Sequence, residues 1–339
     1  MKLKLRNVML FGLLSTGLAF SGCNDDEDET PTPTGPTESI VEIAVGNPDY
    51  SILVEALTAA NLVTVLEGDG PFTVFAPDND AFNALFDAYE LVDGNTSGSR
   101  VDEFVTLLGA DLVTDILLYH VLGGETITAS QVPTDAYVTT ASEAGPGDNQ
   151  VSLRIEARST GVVLNNGAAE NPLTNTGSTV VVADLLATNG VIHGIDAVMN
   201  LPNIVDHALN NPTSFSSLVN ALVTTDLVGA VGGDGPFTVF APVNQAFTDI
   251  EDVVAGLTTD QLSLVLRYHV VPSQVRSEDI SAGAVNTLAN QEFTIDVTIP
   301  EGGVRIIDTT GENSSVVLTD VQGTNGVIHV IDRVLLPVL

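Results

Sequence analysis

Gly70-Pro71-Phe72-Thr73-Val74-Phe75-Ala76-Pro77 recurs letter for letter at Gly235-Pro236-Phe237-Thr238-Val239-Phe240-Ala241-Pro242. Two further blocks follow in the same order. Tyr119-His120 returns as Tyr268-His269, and Thr188-Asn189-Gly190-Val191-Ile192-His193 returns as Thr324-Asn325-Gly326-Val327-Ile328-His329. Three matched blocks in one order mean that a single folding unit has been duplicated. The interval between copies shortens from the first block to the third, so the first copy carries extra residues. Stretches rich in small and polar residues at 93–100 and 141–147 are the expected insertions, as surface loops.

The duplication sets the organisation. A first domain is expected over residues 39–200 and a second over 201–339, each long enough to bury its own core. Ile40-Val41-Glu42-Ile43-Ala44 opens the first and Ile204-Val205-Asp206-His207-Ala208 the second, with Leu201-Pro202 as a short join. Each unit begins with helical spacing, as in Leu53, Ala56, Leu57 and Ala60 or Leu218, Val219, Leu222 and Val223. Each ends in alternation, with strand-like runs on either side of the turn dipeptide Asn189-Gly190. Helices first and strands last predict an α+β fold. There is no tryptophan, so the cores must be largely aliphatic.

Residues 1–22 read as a signal peptide: Lys2, Lys4 and Arg6 precede an apolar run at 8–20 that is short for a bilayer span. It ends at Phe20-Ser21-Gly22-Cys23, and Cys23 is the only cysteine. No disulfide can form within the chain. Residues 23–38 are expected to be a tether, acidic over Asn24-Asp25-Asp26-Glu27-Asp28-Glu29 and then extended through alternating Thr and Pro. Seven arginines, no lysines and all 44 acidic residues follow Cys23. So negative a surface repels nucleic acid and anionic lipid, and suits a saline medium.

In the first block, Phe72, Val74 and Ala76 alternate with Thr73 and Phe75 as in a buried strand that Pro77 stops. Asp78-Asn79-Asp80 then offers N-cap side chains to a helix. The second copy has Val243-Asn244-Gln245, keeping the Asn and losing both carboxylates, which argues against a shared metal site. Tyr-His ends an apolar helical run in each copy, where a protonated His is favoured and a buried Tyr hydroxyl needs a partner. The expected role is a hydrogen-bonded hinge from helix to strand. Alternation places His193 between Val191 and Ile195 on one strand face, and His329 likewise, as core groups. His207 has Ile43 at its matching place and is expected at the surface or flanking a helix. No nucleophile elbow, metalloprotease spacing or phosphate-cradling glycine loop appears. The expectation is a protein that is not an enzyme, with no catalytic residues, metal or cofactor.

The order Thr-Val-Phe-Ala-Pro-x-Asn-x-Ala-Phe, Tyr-His, Asn-Gly-Val-Ile-His-x-Ile-Asp resembles the fasciclin (FAS1) domain in both halves, over about residues 40–339. The resemblance implies two tandem domains, each a helical portion packed on a wedge of two small β-sheets, with adhesion as the usual role. In some animal members an Asp-Ile pair before the Asn-Gly block, and residues around Tyr-His, bind receptors. The matching positions here are Asp184-Leu185 and Asp320-Val321, with Tyr119, His120, Tyr268 and His269; the Ile is absent from both pairs. The segment ending in Cys23 resembles the lipobox of bacterial lipoproteins, which implies acylation of Cys23. The acidic run resembles the tether that routes some of them to the outer face of the outer membrane.

The expectation is thus a lipid-anchored cell-surface protein that displays two domains for cell–cell, cell–matrix or cell–substrate attachment. Its partners would be surface or matrix proteins or polysaccharides, the membrane through Cys23, and other copies of itself. Nucleic acid is not among them. The alternatives are a glycan-binding or biofilm-matrix module and an envelope-maintenance lipoprotein facing the periplasm, or a secreted form.

Overall fold

The computed structural model describes residues 35–91, 98–167, 174–298 and 303–339. The signal segment, Cys23, the acidic run and most of the 93–100 insertion lie outside the described residues.

The repeated blocks become neighbouring strands. In the first copy, helices Ile40–Gly46, Ser51–Ala59 and Val63–Leu66 lead into β1 (Phe72–Pro77). Helices Asn79–Ala88, Arg100–Leu108 and Ala110–Tyr119 then lead to β2 (Val121–Gly123), β3 (Ala136–Thr139), β4 (Ser152–Arg158), β5 (Gly161–Leu164), β6 (Ser178–Ala187) and β7 (Gly190–Ile195). The second copy repeats this. Helices Ile204–Leu209, Pro212–Thr224 and Val228–Gly232 precede β8 (Phe237–Pro242), and Asn244–Thr248, Glu251–Ala255 and Thr259–Tyr268 follow it. Then come β9 (Val270–Val271), β10 (Gly283–Asn286), β11 (Glu292–Asp296), β12 (Arg305–Ile307), β13 (Asn313–Gly323) and β14 (Gly326–Ile331).

Each copy forms a seven-stranded sheet, in the order β2-β1-β7-β6-β5-β4-β3 in the first and β9-β8-β14-β13-β12-β11-β10 in the second. β1 runs parallel to β7 with Phe75 opposite His193, and β8 runs parallel to β14 with Phe240 opposite His329. The first and third blocks therefore recur together because they are one strand pair. β6 and β13 each break register twice, which bends the sheet and lets its two halves face each other as a wedge. The two ends of each sheet nearly meet: Ala141 N–H donates to Val121 O and Leu288 N–H to Val270 O, both at 2.8 Å.

β1 is buried on both faces. Val74 and Ala76 pack under the helices with Phe82, Ile116 and Ile192, while Phe75 packs inside the curved sheet with Leu122, Ile155 and Ile195. The second copy divides its core the same way, with Val239 and Ala241 under the helices and Phe240 inside the sheet.

The hairpin before β7 turns through Thr188 and Asn189, with Ala187 paired to Gly190. Gly190 thus belongs to the strand rather than to the turn. It must be glycine because a Cβ there would lie 2.1 Å from Phe72 O. Gly326 meets the same limit, 2.2 Å from Phe237 O.

Residues 35–339 form one compact unit, and the 141–147 segment explains part of it. Expected as a surface loop, it packs instead into the seam between copies, where Ser142 and Gly145 are buried. Arg276 Nη1 donates to Asn149 Oδ1 at 2.9 Å just beyond it, and Gln322 N–H donates to Ser152 Oγ at 2.9 Å. The insertion is a buttress between copies.

Candidate functional site

The side chains singled out by the repeat converge on two hydrogen-bonded clamps in each copy. The first is at the Tyr-His pair. His120 caps the helix Ala110–Tyr119. Its Nδ1–H donates to Ile116 O at 2.7 Å, and its Nε2 accepts from Met199 N–H at 3.0 Å. His269 does the same with Val265 O (2.8 Å) and Leu335 N–H (2.9 Å). A carbonyl on one nitrogen and an amide on the other fix the neutral tautomer. Burial lowers both imidazoles to about 4. The protonated form expected from the helix terminus is therefore not the resting one, because desolvation outweighs the dipole. Tyr119 is fully buried; its hydroxyl donates to Ser152 O (3.2 Å) and accepts from Asn165 Nδ2 (3.0 Å). Tyr268 donates to Glu292 O at 2.8 Å.

The second clamp holds the chain after β2. His193 Nε2–H donates to Ile127 O (2.8 Å), and its Nδ1 accepts the Asp184 N–H (3.3 Å). Asp184 Oδ1 accepts from Ala129 N–H (2.8 Å), and Thr73 Oγ1 accepts from Ile127 N–H (2.9 Å). In the second copy His329 bridges Val275 O (2.8 Å) and Asp320 N–H (3.4 Å). There Asp320 Oδ1 accepts from Ser277 N–H (2.9 Å) and Thr238 Oγ1 from Val275 N–H (2.8 Å). Asp184 and Asp320 sit at φ +61° and +60°, left-handed values that Asp tolerates better than most residues. These kinks at the register breaks aim each N–H at its histidine.

The predicted contact residues thus divide. Tyr119, His120, Tyr268 and His269 are buried, and so is Val321. Asp184 is exposed, while Leu185 and Asp320 are half-buried. Around Asp184 stand Val181 and Leu186, 56% and 54% exposed, and Val317 beside Asp320's strand is 59% exposed. Exposed aliphatics thus lie on both sides of Asp184 but only ahead of Asp320, because Gln322, at the place of Leu186, is buried. They continue to Val182 and Leu318.

Several functional parts escaped the sequence reading. Asn79 does not cap its own helix; Asp78 does, accepting from Ala81 N–H at 2.8 Å. Asn79 Oδ1 instead accepts from Ile52 N–H (3.0 Å) at the start of the helix Ser51–Ala59. Asn244 Oδ1 accepts from Ser217 N–H (2.8 Å) within the helix Pro212–Thr224, and its Nδ2 donates to Pro212 O and Thr213 O in that helix's first turn. That explains why the Asn recurs while its neighbours vary. Asn189 likewise accepts from Ile40 N–H and donates to Leu66 O and Gly68 O, a pattern Asn325 repeats. His207, expected at the surface or flanking a helix, lies in the helix Ile204–Leu209 and is wholly buried in the seam. Its Nε2–H donates to Gln322 O (3.0 Å), its ring meets Tyr137 edge-on at 5.8 Å, and burial lowers it to about 4.

Arg154 bolts the seam. It is buried, pairs with Asp135 (2.7 Å) and Glu156 (2.9 Å), and donates to Asn210 O of the second copy (3.3 Å). A strand pattern with one Arg between Leu153 and Ile155 is its only trace in sequence. Arg154→Met is expected to lose about 1–2 kcal/mol, because it removes a buried guanidinium and its bond to Asn210 O while Asp135 stays partly exposed and Glu156 keeps Arg158 at 2.8 Å. Calorimetry is then expected to show two thermal transitions in place of one.

Among the described residues, no group of three or more His, Cys, Asp or Glu is placed to hold a metal ion. The ring nitrogens of His120, His193, His269 and His329 are engaged by backbone groups, which leaves them no free lone pair for base chemistry.

The sequence profile described as "Fasciclin domain" matches residues 48–202 and 213–337. The chain belongs to the fasciclin domain family. It is made of two tandem fasciclin domains, each a helical part with a nearly closed seven-strand sheet. Protein sll1483 of Synechocystis sp. is 37% identical over 165 residues, 47% of this chain and 87% of that one. Human periostin is 29% identical over 287 residues, covering 82% of this chain and 30% of its own length. The fasciclin-like arabinogalactan protein CTB11 of Cercospora beticola is 27% identical over 304 residues, 88% of this chain and 76% of that one. Among solved structures, a FAS1 domain pair from the insect cell adhesion molecule Fasciclin I aligns with TM-score 0.48 and 19% identity, covering 87% of this chain and 98% of that one. This chain spans 30% of periostin's length. Among the described residues, no helix is long and apolar enough to cross a membrane.

Proposed function

We propose that this protein is a non-enzymatic adhesin of the bacterial cell surface, displaying two fasciclin modules over residues 39–200 and 201–339. The observation that carries this reading is the exposed aliphatic stripe beside the kinked Asp in both domains. Val181, Val182 and Leu186 flank Asp184, and Val317 and Leu318 precede Asp320. Apolar side chains grouped at a surface favour contact with another macromolecule. Two such stripes on one chain add through multivalency. Leu185 and Val321 set the strand behind the stripe, and the Tyr119-His120 and Tyr268-His269 pairs hold the fold beneath it.

Anchoring is the second part. Acylated Cys23 would insert in the outer membrane, the acidic and Pro/Thr segment would hold the modules away from it, and the partner is a surface or matrix protein, a polysaccharide or a second copy. Deleting the gene is expected to lower aggregation and surface attachment at least severalfold, with recovery on complementation. Unchanged attachment contradicts adhesion. Protease shaving of intact cells is expected to remove the modules; their survival until the envelope is opened would place them in the periplasm.

A further inference from the structure

Strand β6 has a free outer edge. β5 pairs with it only at Ser178 and Thr179, and among the described residues no strand lies beside it after that. Val181, Val182, Ala183 and Asp184 are all exposed, and Leu186 beyond them is 54% exposed. Unpaired backbone along a strand is a template for pairing with another chain. The composition of β6 favours this further. Val180, Val181 and Val182 are β-branched, and Asp184 is the only charged residue of its ten. In a chain with 44 acidic and ten basic residues, this strand itself offers little like charge to a second copy.

The second domain shows what such an edge accepts. On β13, Ser152 of the first domain's β4 takes two outward backbone groups: its Oγ accepts from Gln322 N–H (2.9 Å) and donates to Asp320 O (3.5 Å). Gln322 is only 4% exposed there. The matching groups of the first domain are Asp184 O and Leu186 N–H, since Leu186 pairs with Val191 as Gln322 does with Val327. A strand of another fasciclin domain thus covers one of the two edges already. The end of the second domain that corresponds to β4 does not suit the other. Tyr268 bonds Glu292 O as Tyr119 bonds Ser152 O, which puts Glu292 at the place of Ser152. Thr294 pairs with Ala284 as Arg154 does with Tyr137, so the seam's Arg and Tyr are both missing. An ionised Glu292 has no hydrogen for Asp184 O and would face the Asp184 carboxylate. Head-to-tail stacking of chains is opposed.

We propose, building on the adhesion reading above, that β6 pairs antiparallel with β6 of a second copy and closes a two-fold dimer. An antiparallel edge is its own complement, because both strands offer the same spacing of N–H and C=O groups about one axis. Val181, Val182 and Leu186 of one copy then pack on those of the other. β13 is free only over the shorter run 316–319, between its pairing with β12 and the cover of Ser152. One long edge per chain gives a dimer and stops there. Between copies on facing cells the same contact is an adhesive bond.

Sedimentation equilibrium tests this on the chain from residue 23 onward with Cys23→Ser, which keeps the whole compact unit and removes the only thiol. A monomer–dimer equilibrium with nothing larger is expected. It should tighten severalfold as NaCl rises from about 0.1 M to about 0.5 M, because salt screens the repulsion between two acidic copies. Val181→Lys and Leu186→Lys, both at exposed positions, should each weaken the dimer at least about tenfold with thermal unfolding unchanged. Ala284→Lys and Val317→Lys add the same charge elsewhere and should leave it intact. A chain that stays monomeric at every concentration and salt overturns the proposal. So do assemblies larger than a dimer, or equal loss on Ala284→Lys. The attachment assay separates this from the adhesion reading: a stripe that serves another molecule leaves attachment sensitive to Leu186→Lys in a chain that never dimerises.

Discussion

Lowering the pH from 7.5 to 5.5 is expected to remove roughly 4 kcal/mol of stability, well before most carboxylates titrate. His120, His207 and His269 are buried and neutral, with burial lowering each to about 4. Unfolded, each titrates near 6.5. Below that value the unfolded chain binds protons that the folded chain refuses, so stability falls as pH falls. The contribution is fully present above about 6.5 and is lost progressively down to about 4. Each histidine loses about 1.4 kcal/mol by pH 5.5. His329 is shifted in the same direction by burial. Asp115 and Asp206 are raised by burial and act oppositely. Urea titrations at half-unit pH steps measure the slope. A flat profile from pH 7.5 to 5.5 would mean that these rings carry protons in the folded state.

Gly190→Ala is expected to cost more than about 4 kcal/mol, the range of severe backbone clashes. The added Cβ would sit 2.1 Å from Phe72 O and 2.9 Å from Phe72 C, so two paired strands must part. The lost contacts join the first block to the third, β1 to β7, at the centre of the sheet. Gly326→Ala makes the same clash with Phe237 O. By contrast Gly109→Ala meets no atom within 4 Å, although its φ of +87° carries a modest strain of its own. Chemical denaturation of the three variants orders them. Equal losses at Gly190 and Gly109 would show that β1 and β7 can shift apart freely.

How much of this was legible depended on what each residue answers to. The fold was legible because the repeat marks residues whose demands are strict: a glycine under a carbonyl, an Asn that pins a helix start, a His bridging two backbone groups. Those demands are local enough to leave the same letters in both copies. Arg154, His207 and the 141–147 buttress were not legible, because they answer to the seam and the seam occurs once. The protonation of His120 was misread for a related reason. Sequence shows the helix end but not the depth at which Met199 N–H closes over the ring. Asp184 and Asp320 were visible as a recurring pair, but their kinked backbone and the stripe around them required the register of β6 and β13.

The central claim is that the repeated residues build scaffold and that attachment lives on the exposed stripes. Cells lacking the gene, complemented with Val181→Ser, Leu186→Ser and Val317→Ser combined, test it most directly in an attachment assay. The account predicts a purified protein with unchanged thermal midpoint and cells that attach no better than the deletion strain. Full attachment by those cells would contradict it.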